Sequence, residues 1–524
     1  MHARVTRRRR GPVTAVTAAL ALAITLPASS LGVDGYTTDS AAYVAFTAAV
    51  PRGAKIVPLV NSGEEVFGTI FEGIPDGIGA VPVDEDHVDL YVAHEQSHVP
   101  FSNFADFQDS SVTRVRLNIE TKSIVEMDVA LSPDQGFIRF CSAFMAGPEH
   151  GFTDYTFLLN EESDDNLEVP AGAVYESDPS MDPLREAGYS VWLNTSDWSQ
   201  LDVVDGLGRH NHENTVVVPG GWEELAALSG DDTFNAPSSQ LYLYTAADAD
   251  AFMNDDGELR AFRVTDTNGA AAGGGVNPAD PQNNANDYLE ITPGATWSGE
   301  FIEVPSDVAR GDLAAEHPQA GLESWSNANN VFQFVRVEDI AYDPDDPRVV
   351  YFTDTGTTRL VESATTGRLF RGGTGTGTDS SGRVFKMVLN ADDPTVVDEL
   401  SILVDASSIG MRNPDNLAVG SKSIMVQEDS ANNNRVWQYK FRTGAWTHVA
   451  SATQTATAET SGIVDVSQWF GGGWWALDVQ SHVNQEFTTG RPFTWTGPPG
   501  PAVGHQYDKR REDGQLLLMH IPAS

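Results

Sequence analysis

Cys141 is the one cysteine in 524 residues, so no internal disulfide can form. A lone cysteine is commonly a small buried apolar residue. Its other role is to offer a thiolate to a transition metal. Acids stand at comparable points along the chain: Glu95, Glu161 with Glu162, Glu213, Glu338, Asp354, Asp415, and Glu428 with Asp429. Carboxylate oxygens are hard donors suited to calcium. One such acid caps a turn or faces water, whereas several converging on one mouth repel one another unless cations neutralise them. Arg336-Val-Glu338 sets a guanidinium fork beside a carboxylate on one face of an extended segment. A cation next to an arginine is what phosphoryl-oxygen chemistry requires. In His210-Asn-His-Glu213, a strand would turn both histidines to one face and Glu213 to the other. The histidines then either support a site or serve only the fold. No Gly-x-Ser-x-Gly elbow, Cys-x-x-Cys or His-Glu-x-x-His pattern occurs, which argues against an α/β-hydrolase or a common zinc site.

Short apolar runs must position these groups. Asp89-Leu-Tyr-Val-Ala, Val112-Thr-Arg-Val-Arg-Leu, Tyr155-Thr-Phe-Leu-Leu, Gln240-Leu-Tyr-Leu-Tyr and Gln515-Leu-Leu-Leu-Met-His-Ile have strand length, and Gly, Asp, Asn or Pro bounds them. Helical periodicity is scarce, with Trp222-Glu-Glu-Leu-Ala-Ala-Leu the best short candidate. Two stretches share one internal order. Glu338-Asp-Ile-Ala-Tyr, Val349-Val-Tyr-Phe-Thr-Asp, Gly382-Arg-Val-Phe-Lys-Met and Leu400-Ser-Ile-Leu-Val form one set of four strands. Asp415-Asn-Leu-Ala-Val, Ser423-Ile-Met-Val-Gln-Glu, Arg435-Val-Trp-Gln-Tyr and Trp446-Thr-His-Val form the next. A repeating four-strand unit is a propeller blade. Extended along the chain, the template predicts an all-β, six-bladed β-propeller with inserted loops and few short helices. Two such insertions are glycine-rich, at about 268–286 and 371–383. In a blade the first strand starts on the rim where the second ends. Cys141, Glu213, Glu338 and Asp415 are therefore expected around one mouth with Glu95, Glu161 and Asp354.

The chain carries 32 Lys+Arg against 74 Asp+Glu, a formal net charge of −42. A surface of that sign repels a phosphate backbone and anionic lipid, so neither nucleic acid nor a membrane is an expected partner. Arg7 to Arg10, the apolar run Val13–Leu26 and Pro27-Ala-Ser-Ser read as a secretory signal peptide, too short to span a bilayer comfortably. The expected organisation is a signal peptide over 1–30 and a single propeller domain over 31–524, secreted by the Sec or Tat route and acting as a monomer.

In this order the segments resemble one family. His94-Glu follows a strand. Cys141 precedes Leu158-Leu-Asn-Glu-Glu, and Gly208-Arg-His-Asn-His-Glu-Asn comes next. Arg336-Val-Glu-Asp, Tyr351-Phe-Thr-Asp-Thr and Asn413-Pro-Asp-Asn with Gln427-Glu-Asp complete the series. Together they are similar to the PhoX-type secreted alkaline phosphatases. That resemblance implies a propeller whose channel mouth holds ferric iron (Fe3+) and calcium and hydrolyses small phosphate monoesters, with some diesters. Carried over by position, it implies Cys141, Glu213 and Glu338 as metal ligands, Glu161 as a calcium-side carboxylate and Arg336 as the phosphate clamp. The rim reading adds Glu95 and Asp415. The chain departs from the family after Cys141, where Ser142-Ala-Phe-Met-Ala-Gly-Pro stands, and at Asp339, where glycine is usual. Two other classes fit the same composition: a calcium-dependent propeller lactonase or esterase, and a non-catalytic extracellular propeller that calcium stabilises.

Overall fold

Six antiparallel units of four strands form the framework of the protein, seen in a computed structural model that describes residues 35–95, 110–177, 184–233, 239–266, 287–311, 317–362, 369–430, 434–454, 458–486 and 510–522. The expected signal segment at 1–30 and the glycine-rich stretch at 268–286 lie outside the described residues. Blade 1 holds Pro75–Pro82, His87–His94, Ser111–Asn118 and Ser123–Leu131. Blade 2 holds Phe140–Ala146, Thr156–Glu161, Ser190–Asn194 and Leu201–Val203. His212–Val217, Leu225–Asp231, Leu241–Ala246 and Gly257–Asp266 make blade 3. Val337–Asp343, Asp346–Asp354, Arg383–Leu389 and Val396–Asp405 make blade 4. Blade 5 runs through Pro414–Gly420, Ser423–Glu428, Arg435–Lys440 and Ala445–Ala452. Blade 6 combines Glu459–Asp465, Trp474–Glu486 and Arg510–His520 with Lys55–Asn61 from near the start of the chain.

The first strands of the six blades touch one another in order, and that of blade 6 touches that of blade 1. The ring is therefore closed and its first strands line a central channel. Closure is secured by chain ends: Lys55–Asn61 pairs with Arg510–His520 as the outer strand of blade 6, and Val44–Phe46 adds to the edge of blade 5. Trp297–Glu303 pairs with the outer strands of both blade 3 and blade 4 and stitches the two into one sheet.

Each junction between neighbouring blades holds its own apolar cluster. Tyr91 and Phe157 lie between blades 1 and 2, Leu158 and Tyr242 between 2 and 3, and Phe334 and Phe352 between 3 and 4. Val426 and Trp437 serve blades 4 and 5, Leu477 and Met425 blades 5 and 6, and Val88 and Leu516 blades 6 and 1. Blade strands are thus covered on both faces, which explains their near-continuous apolar runs. Each fully buried side chain of this size contributes about 1.5–3 kcal/mol.

Trp222–Leu228, expected to be helical, is instead the approach to and first half of the strand Leu225–Asp231. Every residue of that strand is buried between two partner strands, and this packing overrides local helix propensity. Helices are short elsewhere; Pro318–Ala328 is the longest among the described residues.

Candidate metal centre

One backbone device recurs in five blades and aims their side chains. The first residue of the first strand pairs with the last residue of the second: Pro75 with His94, Phe140 with Glu161, His212 with Asp231, Val337 with Asp354, Pro414 with Glu428. Pairing then slips by one residue and resumes at Ile78, Ala143, Thr215, Ile340 and Leu417. A bulge of this kind re-aims the residue it frees. The freed residues are Asp76, Cys141, Glu213, Glu338 and Asp415. A second contact repeats as well. The N–H of the residue just past the second strand donates to the carbonyl of the residue just before the first strand. The pairs are Glu95 to Ile74 (3.1 Å), Glu162 to Arg139 (3.0 Å), Asp232 to Asn211 (2.9 Å), Thr355 to Arg336 (2.9 Å) and Asp429 to Asn413 (2.9 Å). Ile74, Arg139, Arg336 and Asn413 all adopt left-handed φ, between 43° and 64°. Such strain in non-glycine residues persists where the surrounding structure imposes it, often at functional sites.

Glycine permits the close approach of the strands around Asp76. A Cβ on Gly77 would lie 2.3 Å from Ala143 N in blade 2, and one on Gly462 would lie 2.2 Å from Asp76 O.

Three groups of donors follow from this geometry, each with ligand atoms within 4.8 Å of one another: Asp76, Glu95 and Cys141; Cys141, Glu162 and Glu213; Asp415, Asp429 and Glu459. Of the expected residues, Cys141, Glu95, Glu213 and Asp415 fall in these groups. Glu338 adjoins them, sharing its charge environment with Asp232, Asp415 and Glu162. Glu161 stands outside. Arg185 holds its carboxylate at 2.5 and 2.7 Å, and the N–H groups of Ile138, Gly188 and Tyr189 donate to it at 3.0–3.1 Å. Successive side chains alternate across a strand, so Glu161 faces the blade and its neighbour Glu162 faces the mouth. Asp354 is likewise engaged, accepting from Val335 N (2.7 Å) and Tyr288 Oη (2.9 Å).

Asp76, Asp232, Glu459 and Asp478 are mouth acids that the blade template did not single out, and Glu162, which it placed on the rim, takes the position expected of Glu161. A signal for one was present, since Pro75-Asp76 repeats Pro414-Asp415. Asp478 lies inside a strand, opposite Ser461, where the template expects no ligand.

These residues fit bound cations. Buried oxygens of Asp76, Glu213 and Asp478 have no hydrogen-bond partner within the protein, and orphaned buried oxygens are costly. Burial, then the charges of neighbouring acids, holds Asp76, Glu213, Glu338 and Asp415 well above the usual carboxylate range. The same causes, burial first and Asp76 second, hold the Cys141 thiol well above its ordinary range. Cys141 Sγ lies 3.4 Å from Asp76 Oδ2. A neighbouring cation reverses both effects and favours carboxylate and thiolate. The donor set is one sulfur among oxygens on one side of the mouth and oxygens alone on the other.

Arg336 lies among these acids. Its Nε and Nη2 donate to the two oxygens of Asp232 at 2.7 and 2.8 Å, and Nη2 is 3.4 Å from Glu338. The histidine pair serves the fold in part. His212 Nε2 donates to Gly208 O at 2.9 Å and Nδ1 meets Ser229 Oγ at 2.9 Å, so both nitrogens are used. His210 packs against it, with ring centroids 3.5 Å apart and planes tilted by 36°. Asp339, the departure from glycine, sits one layer below the mouth. It accepts from Asn214 Nδ2, Ile340 N (2.9 Å) and Leu417 N (2.9 Å), joining blades 3, 4 and 5.

The sequence model of the family alkaline phosphatase PhoX matches residues 161–469, more than half of the chain. The protein belongs to this family. No curated protein matches it. Among solved structures it is similar to Pseudomonas fluorescens PhoX in complex with vanadate, a transition-state analogue. The TM-score is 0.58 at 14% identity, over 93% of this chain and 97% of that one. At that identity the likeness establishes a shared propeller fold. Kuenenia stuttgartiensis hydrazine synthase (TM-score 0.35, 11% identity, 79% and 95% covered) and a calcium-binding regucalcin from Agrobacterium tumefaciens (0.33, 11%, 89% and 96%) are more distant and carry no argument. Family membership makes the protein a metal-dependent phosphatase of the alkaline phosphatase class, acting on a small phosphate ester. No helix among the described residues is long and apolar enough to cross a membrane.

Proposed function

We propose that the protein is an exported phosphatase that hydrolyses small phosphomonoesters, and some diesters, at the acidic mouth of the propeller channel. The observation that carries this reading is the ring of bulged residues, Asp76, Cys141, Glu213, Glu338 and Asp415, aimed at one place with buried oxygens left over. Cys141, with Glu162, Glu213 and Glu338, would hold ferric iron, since sulfur suits a transition metal. Asp415, Asp429 and Glu459 would hold calcium, for which oxygen donors are apt. Bound cations supply the positive charge that draws phosphoryl oxygens into the mouth and offsets charge developing in the transition state.

The protein's own side chains orient the ester. Asp232 grips Arg336 by two parallel hydrogen bonds, so the guanidinium is held at the mouth before substrate arrives. The charge of Asp232 acts on Glu162, which links the acid of blade 2 electrostatically to the carboxylate that positions Arg336. In this reading the side chains of the mouth, Cys141 included, bind cations and orient the ester rather than attack it. Export is supported by the basic, apolar and small-residue order of residues 1–30, and the mature N-terminus of secreted protein tests it.

Metal analysis of the purified protein, paired with hydrolysis of p-nitrophenyl phosphate, tests the whole reading. Iron with calcium and turnover is expected. Calcium alone with activity on a lactone or carboxylic ester would replace the reading with the propeller lactonase class. Calcium alone without activity would leave a stabilised scaffold. Arg336→Ala should raise KM by about ten- to a hundredfold with metal content unchanged.

A further inference from the structure

Arg139 occupies in blade 2 the station that Arg336 occupies in blade 4. Each precedes the first strand of its blade, and each accepts at its carbonyl the N–H of the residue past the second strand. Each has left-handed φ, 43° for Arg139 and 64° for Arg336. Each is followed two residues later by a donor of the mouth, in Arg139-Phe-Cys141 and Arg336-Val-Glu338. The other blades offer Ile74, Asn211 and Asn413 at this station, none of which carries charge. The chain has 32 cationic side chains in total, so two at equivalent stations of one acidic mouth is a placement to be explained.

The electrostatics join the two. Arg139 Nε lies 3.9 Å from Glu95, and among the charges acting on Arg139 those of Glu162, Glu95 and Cys141 lead. Asp232 is the neighbouring charge that acts most on Glu162, and Asp232 holds Arg336 by two hydrogen bonds. The order across blades 2 to 4 is therefore Arg139, Glu162, Asp232, Arg336, with a guanidinium at each end of a carboxyl pair. A phosphomonoester at alkaline pH is a dianion with three terminal oxygens, whereas a diester is a monoanion with two. Two arginines flanking one site match the former, because charge-assisted hydrogen bonds scale with the charge of the acceptor.

We infer that Arg139 is a second phosphate-binding side chain, and that it makes the mouth select dianionic monoesters over monoanionic diesters. This rests on the phosphatase reading above. Arg336 serves both ester classes, and Arg139 engages the terminal oxygen that only a monoester presents.

The test compares wild type, Arg139→Ala, Arg139→Lys and Arg336→Ala in metal-loaded protein, with p-nitrophenyl phosphate and bis-p-nitrophenyl phosphate as substrates. Arg139→Ala should lower kcat/KM for the monoester about ten- to a hundredfold, mainly through KM, and leave the diester nearly unchanged. Arg139→Lys should restore part of the monoester preference, and Arg336→Ala should lower both. Equal losses on the two substrates, or no loss on either, would overturn the inference, as would loss of iron or calcium from Arg139→Ala. If wild type hydrolyses neither ester, the phosphatase reading fails. Calorimetric binding of inorganic phosphate to wild type and Arg139→Ala then decides the arginine alone: weaker binding in the variant upholds its role, and equal binding removes it.

Discussion

The two sides of the mouth share a backbone plan and differ in chemistry. On one side Asp76, Glu95, Glu162 and Glu213 surround Cys141, so a sulfur sits among oxygens. On the other Asp415, Asp429 and Glu459 offer oxygen alone, with Asp478 near. The same bulge frees Cys141 in blade 2 and Asp415 in blade 5, and the same N–H to carbonyl bridge closes behind each. The repeated fold supplies positions, and a change of one side chain at a given station changes the donor atoms offered there. Sulfur shifts preference toward a transition metal, and carboxylates alone favour calcium.

That contrast can be broken most directly at Cys141. Cys141→Ala should cost activity on the order of a thousandfold and remove transition metal, while calcium measured on the same sample stays. Full turnover of p-nitrophenyl phosphate by this variant would mean the sulfur side has no special role. Asp415→Ala is the converse, and should reduce bound calcium with iron retained.

The adjacent acids of blade 2 sharpen the comparison between framework and mouth. Glu161→Gln leaves Arg185 as a buried, unmatched charge, and denaturant unfolding should show a loss of about 4 kcal/mol. Glu162→Gln, one residue on, should weaken metal binding and leave the stability of the metal-free protein nearly unchanged. If the two variants exchange these outcomes, the assignment of faces is wrong.

Chelation should lower the unfolding free energy by about 3 kcal/mol, with a matching fall in Tm, because cations bind only the folded ring. Calcium added back alone should restore most of the stability and little of the activity, which would separate the two sides in one experiment.

The smallest effect lies away from the mouth and serves as a control. His150 accepts from Gly147 N at 2.9 Å through Nδ1 and meets Tyr342 Oη at 2.8 Å through Nε2, and burial lowers its pKa to about 4. Its folded pKa lies below the ordinary 6.5, so the unfolded chain takes up the proton first as pH falls. Stability is full above 6.5 and drops through the window down to about 4, by about 2 kcal/mol at pH 5. His150→Phe should flatten that slope without altering metal content.

Much of this was readable before the structure. Strand-length apolar runs, acids at strand ends and the repeated four-strand order predicted the ring and the rim on which Cys141, Glu213, Glu338 and Asp415 meet. Trp222–Leu228 suits a helix in sequence because its apolar residues fit either period, and only the two neighbouring strands decide for the strand Leu225–Asp231. Glu161 and Glu162 are chemically alike in sequence, so which of them faces the mouth depended on the register against Phe140. Arg139 was overlooked although Arg139-Phe-Cys141 repeats the spacing of Arg336-Val-Glu338.

Sequence by itself determined the class of fold, the acid-rich mouth and the presence of one sulfur among many oxygens, since strand alternation, turn residues and donor type are local properties. Tertiary structure alone decided which oxygens are left without partners and which arginines stand as equivalents. It also decided how Lys55–Asn61 closes the ring against Arg510–His520. The physical reason is that a one-residue bulge reverses the face a side chain takes. Whether like charges crowd one another depends on strands far apart in sequence being brought round a closed circle.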